Sequence, residues 1–231
     1  MARASPTSHP TSAPAFAPPG LAYVERPGEL IAGNAVRLLV GGDQAYPAML
    51  EAIQQATGSI WLEVYIFADD WVGRLFADAL AARAQAGVDV RVCVDGLGGA
   101  LSAGTLLDGL RVRGVQVVDV FDLKARQRAW RWFRRDHRKL LIVDHRIAFT
   151  GGLNLGLDYA GPRYGGGGWY DLQLEVRGPA VRALARHFVK TWRTHGGRRI
   201  DEPPSQPPAG NDAVRVLANH LSATRKEIQH A

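Results

Sequence analysis

Residues 136–154 read DHRKLLIVDHRIAFTGGLN. The apolar run Leu140 to Val143 predicts a buried strand, here taken to start at His137. A second strand is expected at Ile147–Thr150, after the tight turn Asp144-His145-Arg146. On such a strand side chains alternate, so His137 and Lys139 project from one face while the apolar run anchors them in a core. The polar positions follow the order H-x-K-x4-D-x6-G-G-x-N through His137, Lys139, Asp144, Gly151, Gly152 and Asn154.

These residue types suit attack on a phosphodiester. A neutral imidazole can attack phosphorus and form a covalent phosphohistidine. Lys139 offers positive charge to the non-bridging oxygens, where charge builds in the transition state. A second imidazole would protonate the leaving alkoxide and then deprotonate the incoming alcohol or water. Gly151-Gly152 lets the backbone approach an anion, and Asn154 can donate an amide hydrogen bond beside it. Asp144 completes the pattern of the catalytic set. Its place at a strand end suits a structural acceptor better than a base.

Outward from this stretch, strands and helices alternate. Strands are expected at Ala35–Val40, Ser59–Phe67, Val88–Val94, Val115–Val120 and Asp171–Val176. Helical patterns fall at about 46–57, 71–86, 103–113 and 179–195. The expected fold is an α/β sandwich with a mixed, mainly parallel central sheet flanked by helices. Residues 1–33 are rich in Pro, Ala and Ser and read as a disordered lead. A domain over 34–200, a Pro-rich linker over 201–210 and a further segment over 211–231 complete the division. In that last segment Asp212-Ala213-Val214-Arg215-Val216-Leu217 echoes Asn34-Ala35-Val36-Arg37-Leu38-Leu39, as if a second repeat began there and stopped.

The 231 residues are 46% hydrophobic, enough for a real core, and the formal charge is +6 with His neutral, which favours anionic partners. The one cysteine, Cys93, lies in an apolar strand pattern and reads as a buried structural thiol; no disulfide framework or Cys/His zinc spacing exists. No apolar run approaches the ~18 residues of a membrane span, and the N-terminus lacks the apolar core of a secretory signal. Residues 122–139 hold eight Lys or Arg interleaved with Trp130, Trp132 and Phe133. Arg128, Trp130, Arg131, Trp132, Arg134 and Arg135 are therefore expected to dock headgroups at a membrane surface. The same composition could bind single-stranded nucleic acid.

The 137–154 segment resembles the HKD motif of the phospholipase D superfamily. Its surroundings resemble the N-terminal half of a bacterial cardiolipin synthase over about residues 34–231. The flanking likeness rests on Leu62 to Phe67 with Asp70 and Gly73, Phe133 to Lys139, Ala148 to Asn154, and Tyr170-Asp171 leading to Arg177 to Val181. The resemblance implies a phospholipase D-like fold and a phosphatidyltransferase. His137 would be nucleophile or acid/base, and Lys139, Gly152 and Asn154 would bind phosphate. Asp171 would hydrogen-bond and orient the histidine, without metal or other cofactor. The implied partners are a phosphatidylglycerol-like donor, an alcohol acceptor and the inner face of the bacterial membrane, with a cytoplasmic, peripheral location.

One departure stands out. Family synthases carry two HKD motifs that meet at one site, and this sequence has one. His187, His195, His220 and His230 lack the rest of the pattern. The second motif is then expected from another chain, as in a homodimer, or from a missing half. The alternatives are a homodimeric, metal-independent endonuclease, the one reading in which nucleic acid is a partner, and an inactive half-enzyme.

Overall fold

The computed structural model describes residues 29–96, 105–120, 136–167 and 169–217. Their order is β1 (Ile31–Val40), α1 (Gly41–Gln55), β2 (Ser59–Val64), α2 (Trp71–Gln85), β3 (Asp89–Asp95), α3 (Leu106–Val112), β4 (Gln116–Val120), β5 (Leu140–Val143), β6 (Ile147–Gly151), β7 (Leu172–Arg177), α4 (Ala180–Thr194) and β8 (Asp212–Val214). The eight strands form one sheet in the order β4-β3-β2-β5-β6-β7-β1-β8.

The sheet is mixed, with helices on both faces, as expected for an α/β sandwich. The expectation that it is mainly parallel needs correction at the level of pairing. β2–β3 and β3–β4 are parallel; β2–β5, β5–β6, β6–β7, β7–β1 and β1–β8 are antiparallel. Helical crossovers connect the parallel strands. The three-residue turn between β5 and β6 is too short for a crossover and forces a hairpin.

Alternation along the strands separates two cores. Ile60, Leu62 and Val64 of β2, with Val90, Val92 and Val94 of β3, pack under α1, α2 and α3. Trp61, Cys93, Leu140, Ile142, Ala148 and Val176 point the other way and pack against Ala185, Phe188 and Trp192 of α4. Trp61 and Phe188 stack at 5.2 Å. Phe188 and Trp192 are essentially fully buried, worth about 1.5–3 kcal/mol for a Phe-sized side chain. β2 is buried along its whole length because both faces are covered.

Ile200 is buried against the α4 core. Glu202 forms an ion pair with Arg186, and the Ala209 amide donates to the Gly33 carbonyl at 2.8 Å. Asp212–Val214 then runs antiparallel to β1 in the same sheet.

Candidate active site

The β5 ladder begins at Leu140, not at His137 as the sequence suggests. The alternation nevertheless extends through the three residues before it. The His137 imidazole stacks on the Tyr65 ring, with centroids 4.0 Å apart and planes at 23°. Lys139 Nζ lies 5.4 Å from the same ring centroid and donates to the His137 carbonyl at 2.7 Å. Arg138 between them turns to the α4 side, where it meets Asp136, Glu63 and Thr191. His137 and Lys139 therefore share one face, held by the Tyr65 shelf at the end of β2. Burial lowers the Lys139 pKa, and the negative charges of Asp136 and Asp171 oppose that shift.

Asn154 is buried against the residue that follows Tyr65. Its Oδ1 accepts from the Ile66 amide at 3.0 Å, which leaves its NH2 group as the donor available to a phosphate. Its carbonyl accepts from the Tyr46 hydroxyl at 2.8 Å, and Tyr46 is itself fully buried beneath the site. Burial pushes the Tyr46 hydroxyl pKa well above its ordinary value, so it stays a donor.

Two residues sit differently from expectation. The Gly152 amide donates to the Leu172 carbonyl at 3.0 Å, so it is not free to bind an anion. What Gly152 contributes is space, since a Cβ there would overlap the Asp171 carboxylate. Asp171 in turn accepts from the Leu172 amide at 2.7 Å and makes no hydrogen bond to His137 among the described residues. Its charge acts on Lys139, while the Tyr65 ring supports His137.

Asp144, part of the catalytic set by its place in the motif, acts as the structural acceptor that its strand-end position suggests. It lies at the far end of β5 from His137. Its carboxylate accepts from the amides of Thr57, Gly58 and Ser59 at 2.9, 2.7 and 2.8 Å and from the Thr57 hydroxyl at 3.2 Å. Asp144 and His145 both have positive φ, 51° and 56°, with the Arg146 amide bonded to the Val143 carbonyl at 2.9 Å. This is a mirror-image hairpin turn, a conformation Asp tolerates. Burial raises the carboxyl pKa, but the three amides outweigh it and the net shift is downward. A depressed pKa contributes stability above the unfolded value, and that stability is lost as pH falls through the folded one. Asp144→Ala should cost about 2 kcal/mol near neutral pH after discounting for partial exposure. The cost should shrink as pH falls below the ordinary aspartate value of about 3.9 toward the lower folded one. Denaturant melts at several pH values measure both.

The Arg128–Arg135 docking residues and His220 and His230 lie outside the described residues. Among the described residues no group of His, Cys, Asp or Glu is arranged to hold a metal, and no helix is long and apolar enough to cross a membrane. Sequence reading missed Tyr65, Glu63, Asp136 and Thr191. The signal for Glu63 was a lone acid inside the apolar strand 59–64.

With this sheet order and a histidine and a lysine on one face, the chain belongs to the phospholipase D superfamily. Residues 49–161 match the family described as cardiolipin synthase, PLD-like domain. The chain is 35% identical over 191 residues to a cardiolipin synthase of Alkalihalophilus pseudofirmus, covering 80% of this chain and 38% of that protein. It is 33% identical over 182 residues to cardiolipin synthase A of Pseudomonas aeruginosa, covering 78% and 37%. The chain thus spans well under half the length of these relatives. In solved structures the fold recurs in Nuc, a phospholipase D family member from Salmonella typhimurium, at TM-score 0.56 and 18% identity, covering 72% of this chain and 99% of that one. It recurs in the phosphatidylserine synthase of Haemophilus influenzae Rd KW20 at TM-score 0.53 and 14% identity, covering 71% and 38%.

Proposed function

We propose that this domain is the His137-bearing half of a phosphatidyltransferase of the cardiolipin synthase type. The observation that carries the reading is the His137–Lys139 pair on the Tyr65 shelf, in a chain whose relatives are cardiolipin synthases. The imidazole attacks the phosphorus of a phosphatidylglycerol-like lipid, forming a P–N bond as the P–O bond to glycerol breaks. The leaving oxygen takes a proton from a second histidine, supplied by another motif. The acceptor alcohol returns that proton to the second histidine, attacks phosphorus and breaks the P–N bond. Lys139 and the Asn154 amide stabilise the phosphoryl oxygens throughout. Asp171 tunes Lys139 by its charge.

The domain meets its lipid at a membrane surface. Exposed Trp169 and Tyr170 immediately precede Asp171, and exposed Trp71 starts the helix that follows the Tyr65 loop. Rings of this kind, apolar with a polar tip, favour the bilayer interface. The basic aromatic residues Arg128 to Arg135 add attraction for anionic headgroups.

Incubation with phosphatidylglycerol vesicles in chelator should yield cardiolipin and glycerol. If a second copy supplies the second histidine, the rate should rise more steeply than linearly with protein concentration. Folded protein that makes no cardiolipin at any concentration, alone or mixed with a chain bearing a second such motif, or that cleaves DNA in chelator instead, overturns the reading.

A further inference from the structure

Behind the sheet from the His137 imidazole lies a buried polar cluster that the transfer chemistry does not use. The Asp136 amide donates to Asp95 Oδ2, at the end of β3, at 2.9 Å. The Asp136 carboxylate takes Arg138 Nε on one oxygen and Nη2 on the other, both at 2.8 Å. Arg138 Nη2 also reaches Glu63 Oε1 at 2.9 Å and Thr191 Oγ1 at 2.7 Å. Thr191 Oγ1 lies 3.1 Å from Glu63 Oε1 and 3.2 Å from the His187 carbonyl. The residues on both sides of His137 are thus tied to β2, β3 and α4.

The charges in this cluster do not balance if every acid is ionised. Glu63 and Asp136 are buried side by side on one guanidinium nitrogen, Arg138 Nη2, which reaches Glu63 Oε1 at 2.9 Å and Asp136 Oδ2 at 2.8 Å, so Arg138 supplies one positive charge to the two of them. Two carboxylates in contact cannot both ionise cheaply. Asp136 is the better anion, because both its oxygens accept from Arg138. Glu63 Oε1 is engaged by Arg138 and Thr191, whereas buried Oε2 meets no N–H or O–H donor among the described residues. An oxygen that nothing donates to is the one suited to carry a proton and donate it.

We infer that Glu63 is a neutral carboxylic acid that hydrogen-bonds the Asp136 carboxylate, and that this pair, with Arg138 and Thr191, positions His137 and Lys139 from behind. The positioning role rests on the reading of His137 as the reacting group; the protonation state does not. Burial raises the Glu63 pKa well above its usual range, and the Asp136 contact adds to the rise. Burial also acts to raise Asp136, but Glu63 and Arg138 outweigh it and the net shift is downward. Among the described residues, the buried Cys93 thiol of β3 and Thr191 on α4 also face Glu63.

A raised pKa gives stability that is present at low pH and lost as pH climbs through the folded value. Melting curves of the parent, Glu63→Gln and Asp136→Asn from about pH 5 to about pH 9 read this directly. Glutamine keeps a neutral donor and acceptor. Glu63→Gln should melt within about 3 °C of the parent and lose less stability than the parent toward alkaline pH, whereas Asp136→Asn should melt on the order of 10 °C lower. Glu63→Gln falling as far as Asp136→Asn overturns the neutral acid.

The positioning role is read from the 15N-imidazole resonances and titration of His137 in the intact chain, a measurement that needs no turnover. Glu63→Ala should shift or broaden them and Glu63→Gln should restore them. His137 signals unchanged in folded Glu63→Ala overturn positioning, whatever the phosphatidylglycerol assay shows about the reaction.

Discussion

His137→Ala should lower cardiolipin formation on the order of 10⁴-fold or more, the size of loss seen when a nucleophile is deleted. The fold should not pay for it. The His137 side chain contributes a stacking contact with Tyr65, whereas the bond from Lys139 goes to the His137 carbonyl and survives the substitution. The melting temperature should therefore stay within about 3 °C of the parent. Acid-labile phosphate trapped on the parent protein should be missing from the variant. His145 is the control, since it also sits in the 136–154 stretch. It packs edge-on against Trp61 at 4.4 Å and lies 3.3 Å from the Ser59 hydroxyl, at the Asp144 end of β5. His145→Ala should keep activity within about threefold of the parent. Equal losses from both histidines would remove His137 from its assigned role.

A large effect on stability should come from Gly73→Ala. In most helices alanine is better than glycine by about 1 kcal/mol. Here the Gly73 Cα faces the Ala68 backbone, and an added Cβ would fall on the Ala68 carbonyl oxygen and 3.0 Å from its carbon. Backbone atoms cannot swing aside. The loop they belong to is fixed at both ends: the Gly73 amide donates to Asp70 Oδ1 at 2.8 Å, and the Ala68 amide donates to the Leu155 carbonyl at 2.8 Å. Asp70 Oδ2 also accepts from the Leu157 amide at 2.6 Å. Moving this loop disturbs the Ile66–Asn154 contact, so activity should fall with stability. A loss of about 3 kcal/mol, seen as roughly 6–12 °C in melting temperature, is expected. Gly109→Ala in α3 meets nothing within 4 Å and should be neutral or stabilising. A Gly73→Ala protein that melts at or above the parent would refute the tight approach.

What the sequence makes legible here is local. The apolar run Leu140 to Val143 and the short turn after it specify a hairpin, and alternation places His137 opposite Arg138 even where the ladder has ended. The strand order is not legible, because the placement of β5 between β2 and β6 depends on distant pairings such as Leu62 with Leu141. The site divides in the same way. Residue types within the motif point to His137, Lys139 and Asn154. Tyr65 reaches the site from 72 positions upstream of His137, and the likeness of Leu62 to Phe67 gives it no role. Asp171 accepts from the neighbouring Leu172 amide, with its carboxylate in the space that Gly152 leaves, an arrangement its residue type does not announce. Asp144 sits in the motif yet serves the 57–59 loop, a contact visible only once β2 and β5 lie side by side.

The short strand β8 has a consequence for handling the protein. β1 is paired with β7 on one side and is covered on the other by residues 209–214, through the Ala209 amide, the Asp212 carboxylate on the Val36 amide and the β8 ladder. A protein cut after α4 would still hold the motif, but it would present the outer rim of β1 with its backbone groups unpaired. Such a rim invites addition of a strand from a neighbouring molecule. Shortened forms ending before Asp212 should self-associate through that rim, and any dimer they form there would mimic, without reproducing, an assembly that brings two histidines together.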